Sequence, residues 1–303
     1  MSKNSKGPSV LVVGSTGFLG MEICRLLVNA GKDAKALVRS TSDSTKVKTL
    51  RQMGVETREG DLKDVASIKK ALKGIDSVIS TASATLSRQE GDSIETVDGM
   101  GQLDLVQAAI DGGVNQFIFV SFRPIHDSFL LQTAKQNVEK KLKESNLNYT
   151  ILQPGFFMEI WLSPAVGFDF PNSKVTIYGE GMNKIWWVSL MDVAAIAVAS
   201  LDNELAKNSV FQVGGPAAVS PLEVVKIFEN HTGNEFTIAY VPTAALQAQK
   251  SAASESMSEA FATLMLSYAE GDQIDMTETR KLYPFKLTSV SDYVQKVPVA
   301  HEM

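Results

Sequence analysis

Ser9-Val10-Leu11-Val12-Val13-Gly14-Ser15-Thr16-Gly17-Phe18-Leu19-Gly20 is a β-branched apolar run that stops at a glycine-punctuated turn. Met21-Glu22-Ile23-Cys24-Arg25-Leu26-Leu27 follows with helical periodicity. So tight a turn from strand into helix needs residues without a Cβ, and the free N–H groups of a first helical turn attract an anion. Strand, G-x-x-G-x-x-G and helix, in that order, read as a pyrophosphate cradle for a dinucleotide built from Gly14 to Gly20. The first interval is one residue longer than in the standard spacing. A Gly-rich turn with no ligand is the bland alternative, and the position between strand and helix argues against it.

The same alternation spreads outward from this stretch. Asp33–Arg39, Val55–Gly60, Asp76–Thr81, Gln116–Phe122 and Tyr149–Pro154 read as further strands, with helices at 18–30, 44–53, 64–72, within 92–111 and at 128–145. Strands alternating with helices predict an α/β fold, a doubly wound parallel sheet covered on both faces. The runs LVV, SVI and FIFV lack a two-residue period, as strands buried on both sides do. After Pro154-Gly155 the rhythm breaks into a Pro/Gly-rich stretch, then a helix near 192–201, a strand at 210–214 and helical pieces at 220–233 and 243–272. Ser220 with Glu223 forms a capping-box pattern, and Asp192 reads as a helix N-cap. The expected organisation is a dinucleotide-binding core over 1–155 and a smaller, irregular α+β capping region over 156–303, interleaved as one structural unit.

Composition narrows the function classes. The 303 residues are 44% apolar, enough to bury a sizeable core. Lys plus Arg at 29 against Asp plus Glu at 34 gives a net charge of −5 without a basic block, which argues against nucleic-acid binding by phosphate neutralisation. The single cysteine, Cys24, and the scattered His126, His231 and His301 offer neither a disulfide framework nor a zinc spacing. The first residues lack the pattern of a secretion signal, and the 17-residue apolar stretch 185–201 carries Asp192 at its middle, against a membrane span. A reducing, cytoplasmic setting and a monomer or homodimer are the expectations.

At the end of the second strand, where an NAD-binding protein places a carboxylate on the adenosine ribose, the chain has Arg39 with Ser40 beside it. A guanidinium there matches a 2′-phosphate by bidentate hydrogen bonding, so NADPH/NADP is expected in preference to NAD.

Taken in order, GSTGFLG (14–20), LVR (37–39), GDL (60–62), TAS (81–83), FVS (119–121) and QPGFF (153–157) make the chain resemble an atypical short-chain dehydrogenase/reductase. More narrowly, it resembles the NmrA-like and isoflavone-reductase-like group of Rossmann proteins. The resemblance covers roughly residues 9–160. It implies that Asp61 and Leu62 lie at the adenine and that Thr81, Ala82 and Ser83 lie along the ribose and nicotinamide. It also places Pro154, Gly155 and Phe156 at the cofactor. Read from the residues alone, Asp61 is equally a turn or cap aspartate.

Short-chain dehydrogenases carry Tyr-x-x-x-Lys; here the stretch is Leu131-Gln132-Thr133-Ala134-Lys135, with leucine for tyrosine. Isoflavone-reductase-like members also lack that tyrosine and use a lysine as general acid/base, followed fourteen residues later by Tyr-Thr, as Lys135 and Tyr149-Thr150 are. The resemblance implies a proton-transfer role for Lys135, favoured if an apolar pocket lowers its pKa. Binding the nicotinamide ribose, or lying on a solvated helix face, are the alternatives. Ser121 sits where the family's strand-five serine touches substrate or cofactor, or else satisfies backbone. Lys140, Lys141 and Lys143 read as solvent face, Cys24 as core, and His126 as a loop histidine without a placed partner.

Phe156, Phe157, Met158, Trp161, Trp186 and Trp187 put six large side chains after the sixth strand and in the second half. Phe157, Met158, Trp161 and Trp186 are candidate walls for a small apolar or aromatic substrate, with core packing as the competing explanation. The expected function is an NADPH-dependent reductase of an aromatic or quinonoid acceptor. A dinucleotide-sensing regulator without turnover is the alternative, and a nucleotide-sugar epimerase-like isomerase a weaker third.

Overall fold

The computed structural model describes residues 7–87 and 89–297; residues 1–6 and His301 lie outside them. The sheet has seven strands in the order β3-β2-β1-β4-β5-β6-β9. The first six are β1 (Ser9–Val13), β2 (Asp33–Val38), β3 (Glu56–Glu59), β4 (Ser77–Ser80), β5 (Gln116–Val120) and β6 (Asn148–Pro154). They pair in parallel, with Val10 beside Ala34 on one side and Ser77 on the other. β1, β4 and β5 are buried along their whole length, which explains their unbroken apolar runs. The order reverses between β1 and β4, so a crevice opens at the carboxyl ends of these strands.

Helices α1 (Phe18–Asn29), α2 (Ser44–Gln52), α3 (Val65–Ala71), α4 (Gln102–Asp111) and α5 (Leu130–Lys143) connect them. Asp43 and Asp64 cap α2 and α3 by accepting from backbone N–H groups of their first turns. α4 is preceded by a wide-turned π-helical segment, Ile94–Gly101, closed by a Ser93/Thr96 capping box. The sequence suggested a regular helix there. Gly101 at its end lets the segment pack closely on Leu62, because a Cβ there would lie 2.8 Å from the Leu62 Cβ.

The chain divides into two compact units. One comprises the described residues within 1–122, 130–153 and 193–211, the other those within 123–129, 154–192 and 212–303. The second unit contains a three-stranded sheet, β10-β8-β7, in which β8 (Lys174–Tyr178) pairs antiparallel with β7 (Phe168–Asp169) and parallel with β10 (Thr237–Val241). β9 (Ser209–Val213) stands at the end of the seven-stranded sheet, after β6. The sequence reading missed β7, β8 and β10, whose exposed and buried positions do not alternate regularly. The helix Pro221–Thr232 starts at the Ser220/Glu223 capping box, as expected.

Two local expectations are corrected. The stretch 243–272 is two helices, Thr243–Ala252 and Ser256–Glu270, broken where Ala253 and Glu255 turn extended. Asp192 is not an N-cap, because its helix already begins at Leu190. Its carboxylate instead accepts from the backbone N–H (2.7 Å) and hydroxyl (3.0 Å) of Thr288. The cap is Ser189, whose Oγ accepts from Met191 N–H at 3.2 Å, with Glu159 behind it accepting from Leu190 N–H at 3.0 Å and Ser189 Oγ at 2.7 Å.

Candidate functional site

The glycine turn closes on itself through a hydrogen bond from Gly17 N–H to Gly14 O (3.0 Å). Gly14 has φ +83°, and a Cβ there would lie 2.7 Å from Thr81 Oγ1 and 2.8 Å from the Ala82 nitrogen. A Cβ on Gly20 would collide with the Gly14 carbonyl, so glycine there lets α1 pack directly on the turn. Ser15 is fully buried and donates to Leu37 O at 2.7 Å, fixing the turn to β2. No side chain caps α1 and no acidic residue stands in its first turn.

A cavity of about 460 Å³ lies beside this turn. Gly14, Thr16, Gly17 and Phe18 line it from the turn, Asp61 and Leu62 from the segment after β3, and Thr81, Ala82 and Ser83 from the segment after β4. Arg39, Ser42, Asp43 and Lys46 supply the wall beyond β2. Ser15, Leu19, Gly20 and Ser40 are outside its lining; Ser40 is exposed. The lining fits a dinucleotide: backbone without Cβ at the turn, an uncapped helix start for a pyrophosphate, and the cations Arg39 and Lys46 on the wall past β2.

The connection after β4 is held from below. Thr81 N–H donates to Val13 O at 2.9 Å, and the Gln102 amide bridges Ser80 Oγ (2.9 Å) and Ala82 O (2.8 Å). Asp98, on the wide-turned segment, accepts from Ala84 N–H at 2.9 Å through one oxygen. Its other oxygen has no hydrogen bond and stands 3.5 Å from the Lys135 ammonium. Lys135 is buried, its ammonium 5.3 Å from the Phe119 ring centroid and 3.5 Å from Val120 O. Lys135 and Ser121 do not line the cavity. Lys135 is instead tied through Asp98 to Ala84, the residue after the lining stretch. Lys140 and Lys143 are exposed and Lys141 is half-buried. Thr150 is spent on a hydrogen bond to Ala206 O (2.8 Å).

Asp92 is the other residue that motif reading missed. Its side chain is only 3% exposed, and it receives Arg39 Nη1 at 2.6 Å, Ser87 Oγ and Lys63 Nζ. Burial pushes its pKa up, but the bonds from Lys63, Ser87 and Arg39 outweigh this and hold it at about 2. Asp98, Gln102 and Asp92 stand outside any motif; Lys46, near the start of the helix after β2, was the nearest to a readable signal.

The remaining candidates lie in the second unit. Gly155 N–H donates to Val213 O at 2.9 Å, and Phe157 forms an isolated bridge with Val188. Phe156 meets Trp161 edge-on at 4.9 Å and Met158 is fully buried, both within that unit's core. Trp161 stacks on Tyr268 at 5.5 Å. Trp186 packs on Ile274, Met276 and Leu287 with Arg280 over its ring at 5.6 Å. Cys24 is buried, its thiol pushed up to about 12 by burial, and His126 is exposed. Among the described residues no group of His, Cys, Asp and Glu could hold a metal, and no helix is long and apolar enough to cross a membrane.

The model of the NmrA-like family matches residues 6–294. The chain belongs to that family. Within it, the chain is 32% identical to the photosystem II assembly factor Ycf39 of Synechocystis, over 80% of this chain and 73% of that protein. It is 30% identical to the NAD(P)H azoreductase of Xenophilus azovorans, over 84% of each. The solved structure of AtPrR2 with NADP+ and (+)pinoresinol superposes with a TM-score of 0.75 at 25% identity, covering 95% of this chain and 98% of that one. NmrA-like membership puts the chain among NAD(P)-binding proteins, several of which are named reductases.

Proposed function

We propose that this NmrA-like chain is an NADPH-dependent reductase of small apolar acceptors, aromatic or quinonoid, with Lys135 as the proton donor. The observation that carries the reading is the link from the cavity wall to a buried ammonium, Ser83-Ala84 to Asp98 to Lys135. Gly14, Thr16, Gly17 and the open start of α1 would hold the pyrophosphate, and Arg39 with Lys46 the 2′-phosphate. Asp61 and Leu62 would flank the adenine, and Thr81 to Ser83 the ribose and nicotinamide. The chemistry supplied by the cofactor when bound is hydride transfer from its nicotinamide. Lys135 then supplies what leucine at 131 cannot, a proton held at a fixed atom. The azoreductase and (+)pinoresinol in the relatives' names support an aromatic class of acceptor.

The test is NADPH oxidation against a panel of quinones and azo or aryl acceptors, alongside fluorescence titration with NADPH and NADH. Lys135→Met should lower turnover by about 10²-fold or more while NADPH affinity stays within a few-fold. Unchanged turnover would end the proton-donor role. A second reading, a dinucleotide-binding regulator without turnover, is favoured by the assembly-factor name of the Synechocystis relative; tight NADPH binding with no oxidation by any acceptor would select it.

A further inference from the structure

Arg39 is not waiting for a phosphate. Its Nη1 donates to Asp92 at 2.6 Å, inside the cavity that both residues line. Asp92 also takes Lys63 Nζ and Ser87 Oγ, so one buried carboxylate collects three donors. The connection that carries Asp92 is clamped to the end of β2 by a second contact. Gln89 Nε2 donates to Thr41 O at 3.0 Å and Thr41 Oγ1 donates to Gln89 Oε1 at 2.5 Å. Lys63 further donates to Glu90 O at 3.3 Å. The connection after β4 is thereby fastened both to the residues after β2 and to those after β3, whose side chains share the cavity lining.

Resting on the proposed cofactor reading, we propose that Asp92 is a carboxylate latch. It occupies Nη1 of the guanidinium that would read the 2′-phosphate, so a phosphorylated ribose that takes this nitrogen must displace it whereas an unphosphorylated one need not. A carboxylate and a phosphate compete for the same planar fork of donors, and two anions at one guanidinium repel across a few ångströms. Asp92 therefore lowers the preference for NADP(H) that Arg39 alone would confer, and sets how far the protein discriminates between the two dinucleotides. The pKa of about 2 means that the latch carries its charge throughout the physiological range.

The experiment is a pair of fluorescence titrations, NADPH and NADH, on the full chain and on Asp92→Asn, with thermal unfolding of each as a check on folding. Asp92→Asn should bind NADPH about tenfold more tightly, the fold-change of one charge-assisted hydrogen bond released from competition. NADH affinity should change by less than about twofold. Asp92→Ser, which also removes the charge, should shift the ratio in the same direction and serves if the asparagine variant does not fold. NADPH affinity that is unchanged or weaker in both variants overturns the latch, because Asp92 would then be holding Arg39 in place for the phosphate. Equal tightening of NADPH and NADH also overturns it, since that result describes a cover over the cavity, not a competitor for phosphate. Binding of neither dinucleotide by the unaltered protein overturns the cofactor reading and the latch with it, a result separate from latch failure with binding intact.

Discussion

The first unit gathers charge around bare backbone, and the second gathers rings around one another. In the first, Gly14, Gly20 and the strand ends set where Arg39, Asp92, Asp98 and Lys135 can stand. In the second, Phe156 and Tyr268 each meet Trp161, Trp187 and one another at 4.9 to 6.3 Å in edge-on, tilted and stacked pairs. Backbone geometry fixes the one set, and volume fixes the other. The two should respond to substitution in different currencies, charge balance in the first and cavity in the second.

The largest effect belongs to the rings. Trp187 is among the largest fully buried side chains, and its Nε1 donates to Val219 O at 2.8 Å. Trp187→Ala should cost about 3–5 kcal/mol by chemical denaturation, from the cavity it leaves, since Val219 O keeps the Ile185 N–H at 3.2 Å. A loss below about 1 kcal/mol would show that the second unit does not depend on its packing.

Next comes the buried ion pair. Lys135→Met leaves the Asp98 carboxylate without its cation and should cost about 3 kcal/mol. Adding Asp98→Asn removes the uncompensated charge and should restore most of that loss, a non-additivity that the double-mutant cycle measures. Strict additivity would mean that the 3.5 Å contact carries no coupling. The cycle also separates a proton-transfer defect in the Lys135 variant from a folding defect.

The contrast between the units also explains what could be read beforehand. The parallel sheet and its helices were legible because β1, β4 and β5 are buried throughout and α1 starts at glycines that only a close turn requires. Arg39 and Lys135 were legible as positions at a strand end and in a spaced pair. Asp92 and Asp98 were not, because each lies in a connection whose path depends on contacts distant in sequence. Asp98 sits on a π-helical segment that no side-chain period announces. The small sheet was missed because β10 turns three of its five residues to solvent. Asp192 was misread because its helix starts two residues earlier behind Ser189, whose Oγ accepts from Met191 N–H at 3.2 Å, and the supporting Glu159 carboxylate stands about thirty residues earlier in the chain.

Two aspartates give the finer test. Asp92 has its pKa depressed to about 2, so its stabilisation is complete above the unfolded value near 4 and is lost as pH falls towards 2. The contribution at neutral pH is about 2 kcal/mol. Asp92→Asn should therefore flatten the acid limb of a stability-versus-pH curve between about pH 4 and 2. An acid limb as steep as in the unaltered protein would assign it to other carboxylates.

Asp272, in the second unit, runs the other way and more weakly. Its Oδ1 accepts from Trp186 N–H at 2.6 Å, but Oδ2 is buried without a hydrogen bond, 3.8 Å from Arg123 Nε. Burial raises its pKa, against the Trp186 hydrogen bond and the Arg123 charge that lower it. A raised acid binds its proton more tightly when folded than unfolded, so stability falls as pH rises through the unfolded value towards the folded one. Asp272→Asn keeps an acceptor for Trp186 and removes the charge, at the cost of an amide group facing Arg123. Its stability relative to the unaltered protein should grow between pH 4 and 7, with a difference within about 1 kcal/mol. The direction is the decisive quantity, measured by urea unfolding at several pH values. A difference that shrinks with pH would show that the Arg123 pairing outweighs burial, and that charge, not only volume, organises the second unit as it does the first.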